Sequence, residues 1–209
     1  MTLALDPRGV DAALFDMDGT LLDSSAAVVA SWTLFAKEHE LDTAEVLASI
    51  HGVRAGDSIA RYLPADRVEA ETQRLIEREL GLLDGIVEIP GAAEVLRALP
   101  DAGIPVAIVT SAPRDLALAR LGAAGIPVPD VVVTAEDIDR GKPAPDGYLE
   151  AARRLGADPA RCVVFEDAEA GIKAGIAAGS RVIVVGEHVA ASTNGLTRIA
   201  DYREVRVAR

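Results

Sequence analysis

The chain has 209 residues, half of them hydrophobic, with 33 Asp and Glu against 21 Lys and Arg for a formal net charge of −12. That much apolar residue supports a packed core and excludes a disordered chain, and the length fits one domain or one domain carrying a smaller insertion. So negative a surface is repelled by phosphate polymers and anionic membranes at long range, which excludes a general nucleic-acid or membrane-surface binder but not a site for a small anion.

Residues 1–10 contain no basic stretch followed by an apolar one, so no secretory signal is expected. No apolar run approaches the roughly 18 residues of a membrane span. The single cysteine, Cys162, rules out an intrachain disulfide or a cysteine zinc site, and a reduced, cytoplasmic protein is expected. The first apolar run, 12–15, is continuous rather than alternating, as in a strand buried on both faces. Residues 23–84 show no convincing strand and several helical patterns. In 24–37, Val28, Val29, Trp32 and Phe35 share a face behind an Asp23 or Ser24 cap; 43–50, 57–62 and 64–81 follow. The stretch 85–91, with Pro90, reads as a hinge. Beyond it, helices at 92–99, 114–124, 146–155 and 169–178 alternate with continuous apolar strands at 106–109, 131–133, 163–165 and 182–185. A short edge strand is expected at 204–207. The order predicts a doubly wound α/β fold with a parallel sheet. Its core spans 1–21 and 88–209, and 22–87 forms an all-helical cap inserted after the first strand, where it would overlie the carboxyl ends of the sheet.

Chemistry-bearing residues gather at the ends of the predicted strands. Asp16 and Asp18 follow the first strand, two residues apart, and an extended chain directs both side chains to one side. Carboxylates so close repel unless a proton or a metal intervenes; an Asp-Gly pair can equally serve only as a turn. Thr110 and Ser111 end the second core strand ahead of a helix, and helix N-termini bind phosphate readily. Lys142, one of three lysines, lies in Gly-Lys-Pro-Ala-Pro before another helix, and Glu166-Asp167 ends a further strand, where it could simply cap the next helix.

The Asp-x-Asp-Gly-Thr segment at 16–20, Thr110-Ser111, Gly141-Lys142-Pro143 and Phe165-Glu166-Asp167 together resemble the haloacid dehalogenase-like hydrolases, in that family's order and over nearly the whole chain. His51-Gly52-Val53-Arg54, the segment 88–92 and the segment 164–172 are similar to the branch that hydrolyses glycerol phosphate and 2-deoxyglucose 6-phosphate. The resemblance implies a Rossmann-like core with a helical cap and a phosphatase for a small sugar or polyol phosphate. It implies Asp16 as nucleophile forming an aspartyl-phosphate, and Asp18 as the acid and base. It further implies Mg²⁺ on Asp16, Asp18 through its backbone carbonyl, Asp167 and, directly or one step removed, Glu166. Thr110, Ser111 and Lys142 would bind the phosphoryl oxygens. Arg54 and His51 would reach the substrate from the cap. Dehalogenases of the superfamily usually lack the second aspartate, so Asp18 argues against dehalogenation.

Two alternatives remain open. A hexose-phosphate mutase would use the same aspartyl-phosphate, although its comparable loop places arginine one residue later, where this chain has Ala55. A receiver-like phospho-switch would share the Asp, Thr/Ser and Lys, but receivers are shorter and lack a cap. The expected partner is a small phosphorylated metabolite, with no nucleic acid or membrane, and the expected state is a monomer or weak homodimer.

Overall fold

The computed structural model describes residues 3–208; positions 1, 2 and 209 of the expected core segments lie outside them. The chain begins with β1 (Leu3–Leu5) and then β2 (Ala12–Phe15), all four residues of which are fully buried. A short strand β3 (Leu22–Asp23) leads into four helices, α1 (Ser25–Glu38), α2 (Thr43–Ser49), α3 (Ala55–Ile59) and α4 (Ala65–Leu80). The chain returns along β4 (Val87–Glu88), antiparallel to β3. This ribbon was not expected: two residues on each side are too few to carry a pattern, and their pairing joins positions more than sixty residues apart.

The remainder alternates strand and helix. It comprises α5 (Ala92–Asp101), β5 (Val106–Val109), α6 (Arg114–Ala124), β6 (Val131–Val133), α7 (Asp146–Leu155), β7 (Cys162–Glu166), α8 (Glu169–Ala177), β8 (Arg181–Val185), β9 (Thr197–Ile199) and β10 (Val205–Val207). Six strands form one parallel sheet in the order β6-β5-β2-β7-β8-β9. The expected terminal strand exists, but it pairs with β1 in a separate two-stranded sheet instead of edging the main one. Edge position depends on which backbone is left unpaired, and a three-residue run does not encode that.

Helices cover both faces. Ala13 and Phe15 point into a cluster with Leu96, Leu99, Leu116 and Leu121 from α5 and α6, while Ala12 and Leu14 face Tyr148, Ala151, Ile172 and Ala174 from α7 and α8. Register sets Phe15 opposite Phe165, whose rings stack with centroids 4.6 Å apart, worth about 0.5–1.5 kcal/mol beyond their burial. The four helices between β3 and β4 have a third cluster of their own: Trp32, Phe35, Ala36, Val46, Ile50, Ile59 and Leu75. No helix among the described residues is long and apolar enough to cross a membrane.

The strand order has a functional consequence. From β2 the sheet grows outward on one side through β5 and on the other through β7. The connections leaving β2 and its two neighbours therefore diverge, opening a crevice at their carboxyl ends, where open α/β sheets bind ligands.

Candidate active site

Asp16 is the first residue beyond β2; its N–H donates to the Phe165 carbonyl at 3.0 Å, continuing the ladder, and its side chain is buried. The chain then turns sharply, with the Met17 carbonyl accepting from the N–H groups of Thr20, Leu21 and Leu22. Gly19 makes that turn possible at φ +83°, and a Cβ there would overlap the Asp167 carboxylate. The Thr20 hydroxyl donates to Asp167 Oδ1 at 3.0 Å, tying the β2 loop to the β7 loop.

Lys142 enters the crevice from the loop before α7, after which the Lys142–Pro143 bond is cis. Its Nζ donates to Asp16, to Glu166 Oε1 at 2.6 Å and to the Val109 carbonyl at 3.2 Å. Glu166 is fully buried and both its oxygens are engaged. Oε1 accepts from Lys142 and from the Tyr148 hydroxyl at 2.6 Å; Oε2 accepts from the N–H groups of Asp167 and Ala168. A Cβ on Gly171 would overlap this carboxylate, so α8 needs glycine there to come close.

Asp16, Glu166 and Asp167 each offer an oxygen, all within 4.8 Å of one another. Three carboxylates face one ammonium. Burial, then Glu166, pushes Asp16 up to about 7 against the pull of Lys142. Burial, then Asp16 and Glu166, holds Asp167 well above the carboxylate range. Burial works against the Lys142 charge, but Asp16 and Glu166 outweigh it and keep the ammonium well above its ordinary value. Oxygen ligands this close together and carrying excess negative charge are a donor set that suits a hard cation.

Asp18 lies at the mouth of the crevice, where Oδ1 accepts from the Ser24 hydroxyl at 2.6 Å and from Arg120 Nη1 at 2.9 Å. Asp16, Asp18, Thr110, Ser111 and Asp167 line a cavity of about 140 Å³ that is closed from the helical side by Val28, Trp32 and Ile76. His51 also lines it. Arg54 does not: its Nε pairs with Asp57 at 2.8 Å and its stem lies against Gly141, on the loop that carries Lys142. Thr110 is buried and its Oγ1 accepts from the Ala112 N–H. The Ser111 hydroxyl crosses to the helical segment and donates to the Gly52 carbonyl at 2.9 Å. The helix after them begins three residues later, and its first N–H, that of Arg114, is already taken by the Glu136 carboxylate at 3.0 Å.

The fold also brings in residues to which the sequence patterns did not point. Arg120 and Glu79 sit in the cavity wall, and Glu79 Oε2 accepts from Arg120 Nη2 at 2.9 Å. Burial, partly offset by Arg120, pushes Glu79 up to about 7. A signal was present for both. Arg120 shares a helical stripe with Leu116, Ala117 and Leu121, and Glu79 falls four residues after buried Leu75, so each is a charge on an apolar face. Tyr148 lay on an expected helix but gave no sign of reaching Glu166.

Comparison with known proteins bears on the whole arrangement. A family model described as haloacid dehalogenase-like hydrolase matches residues 10–179. Hexitol phosphatase A of Escherichia coli is 48% identical over 175 residues, covering 82% of this chain and 81% of that protein. Glycerol-1-phosphate phosphohydrolase 2 of Saccharomyces cerevisiae is 40% identical over 187 residues, covering 83% of this chain and 74% of its own length. Among solved structures, a β-phosphoglucomutase from Clostridium difficile superposes with a TM-score of 0.81 at 22% identity, covering 92% and 91% of the two chains, a likeness of fold alone.

Proposed function

The chain belongs to the haloacid dehalogenase-like hydrolases, and on that premise we propose that it is a Mg²⁺-dependent phosphatase of a small sugar or polyol phosphate, working through an aspartyl-phosphate on Asp16. The observation that carries this reading is the buried Asp16–Lys142–Glu166 cluster with half-buried Asp167 beside it, opening with Asp18 onto one small cavity. The naming of the relatives as hexitol and glycerol phosphate phosphatases supports the substrate class.

In this reading Asp16 attacks phosphorus, the ester P–O bond breaks, and the leaving alcohol takes a proton from Asp18. Asp18 then accepts a proton from the water that attacks the aspartyl-phosphate, releasing phosphate and restoring Asp16. Ser24 and Arg120 hold the Asp18 carboxylate in place for both proton transfers. Lys142, anchored by Glu166, compensates charge at Asp16 and on the phosphoryl oxygens; Tyr148 fixes Glu166 in turn, and Thr110 lines the cavity alongside Asp16. Phosphoryl transfer demands this kind of positioning and charge compensation. Losing one such contact in a dry site costs about 3 kcal/mol, roughly 100-fold in rate.

Asp16, Asp167 and the backbone carbonyl of Asp18 would hold Mg²⁺, while Glu166, both oxygens already engaged, would hold Lys142. The bound cation would offset the repulsion between the carboxylates and an anionic phosphate. The insertion at 22–87 would act as a cap that encloses the leaving group, with His51 facing it. Arg54, paired to Asp57 and packed on the Lys142 loop, would steady that loop. The substrate is a free, small metabolite in the cytoplasm, met by a monomer or weak dimer.

The test is a phosphate-release screen over glycerol phosphates, hexose 6-phosphates, hexitol phosphates and phosphoglycolate, with and without divalent ions. Phosphate release from polyol or sugar esters that disappears on chelation is the expected result. Full activity without divalent ions would sink the metal assignment. Conversion of a hexose 1-phosphate to its isomer without phosphate release would replace the phosphatase reading with a mutase.

A further inference from the structure

Glu79, the far end of a buried ion pair in the cavity wall, has no part in the phosphoryl chemistry. Its partner Arg120, on α6, is 3 % exposed and spans from Asp18 to Glu79, with both contacts at 2.9 Å. The Arg120 Nε is buried without a partner. Glu79, near the end of α4, is 6 % exposed. Leu75 on one stripe and Leu116 and Leu121 on the other are buried beside them, and an apolar pair would avoid the desolvation that a buried ion pair incurs. A charge kept in such a place has to be accounted for by what it faces.

It lines the same cavity as Asp16 and Asp18. With phosphorus at Asp16 and the ester oxygen at Asp18, the cavity volume beyond Asp18, one guanidinium away, is where the first carbons of the alcohol must lie. We propose that Glu79, oriented by Arg120, determines specificity by accepting hydrogen bonds from the hydroxyls of an uncharged polyol and excluding leaving groups that carry a second anion.

The inference rests on the phosphatase reading and names its substrate class more narrowly. Two carboxylates, Asp18 and Glu79, stand at this end of the cavity against one cation, and both terminal nitrogens of Arg120 are already committed. Lys142 is engaged with Asp16 and Glu166 at the phosphoryl end and does not line the cavity at the Glu79 end. Among the described lining residues His51 is the one other basic side chain. A leaving group with its own phosphate or carboxylate would therefore bring an unpaired anion towards Glu79. A hydroxyl brings a donor to a carboxylate of which only Oε2 is taken up by Arg120. Sites built to receive a hydroxyl discriminate strongly against groups that cannot satisfy them.

The test is steady-state kinetics of the full chain with Mg²⁺ on glycerol 1-phosphate, a hexitol 6-phosphate, phosphoglycolate and 3-phosphoglycerate. The wild type is expected to favour the two polyol esters over the two carboxylate-bearing esters by at least about tenfold in kcat/KM. Equal or reversed preference overturns the inference. In Glu79→Gln the ratio is expected to fall at least about tenfold, mainly through KM for the polyol esters, and Glu79→Asp to recover part of it. An unchanged ratio in folded Glu79→Gln overturns the inference while leaving the phosphatase reading standing. If Glu79→Gln does not fold, the wild-type ratio decides alone. Absence of phosphate release from all four esters would overturn this inference, and absence of release from hexose 6-phosphates as well would overturn the phosphatase reading with it.

Discussion

Around Asp16, three carboxylates converge on one ammonium; around Asp137, beyond the end of β6 in the same sheet, the balance runs the other way. Asp137 accepts from Arg114 at 2.7 Å, from Arg154 at 2.8 Å and from the Thr134 N–H at 2.8 Å, and Arg153 and Arg154 both clasp the nearby Glu150. Burial raises the Asp137 carboxyl, but Arg154, then the Thr134 N–H and hydroxyl, overcome it and hold the group well below the ordinary range. Asp16 is driven the opposite way, up to about 7, because burial and Glu166 outweigh Lys142. The ingredients are the same. A carboxylate matched by donors secures a loop, whereas carboxylates in excess in a buried crevice form a site that a proton or an added cation can balance.

The largest effect that would sharpen this contrast comes from Asp16→Asn. Turnover should fall on the order of 10⁴-fold or more, as for loss of a nucleophile, while thermal unfolding shows no loss of stability, since one of three crowded carboxylates is gone. A variant that unfolds, or that releases phosphate at the wild-type rate, would break the comparison. Next is Lys142→Met, which leaves Asp16 and Glu166 buried without their cation. Removing one partner from a buried pair costs about 3–5 kcal/mol, and denaturant unfolding should show that loss in chelator and a partial recovery with added Mg²⁺.

The smallest effect is expected at the matched cluster. Asp137→Asn should cost about 1–3 kcal/mol in unfolding free energy and leave kcat unchanged. Its pH dependence has a definite sign. The folded carboxyl titrates below its unfolded value of about 3.9, so its contribution is complete above that pH and is lost as the pH falls further. The stability gap between wild type and Asp137→Asn should therefore shrink below about pH 4. A gap that widened in acid would place Asp137 with Asp16 rather than opposite it.

Much of this site is legible in the order of residues alone, for a local reason. Asp16, Thr110 and Glu166 each end or follow a continuous apolar run, and a strand buried on both faces can only present a polar residue where it leaves the sheet. Helices α6 and α7 matched their expected bounds because each is closed by a glycine in the left-handed region, Gly125 and Gly156. The burial of Arg120 and Glu79 left a signal in the sequence but their pairing did not, since helical residues announce only a face, and nothing local says which face meets which. Arg54 looked free to reach the site, yet it found Asp57 three residues away and a packing place on Gly141.

The linear order of residues was enough to specify the alternation of strands and helices, the helical interruption after β2 and the gathering of carboxylates at strand ends. Backbone periodicity, turn residues and burial patterns act over a few residues and are legible there. Which charge answers which was settled only by the folded arrangement. Arg120 meets Asp18 across 102 positions and Lys142 meets Asp16 across 126. Those pairings follow from strand order, and Glu79 meets Arg120 because α4 packs against α6; a buried ion takes whatever partner the folded chain brings within hydrogen-bond reach.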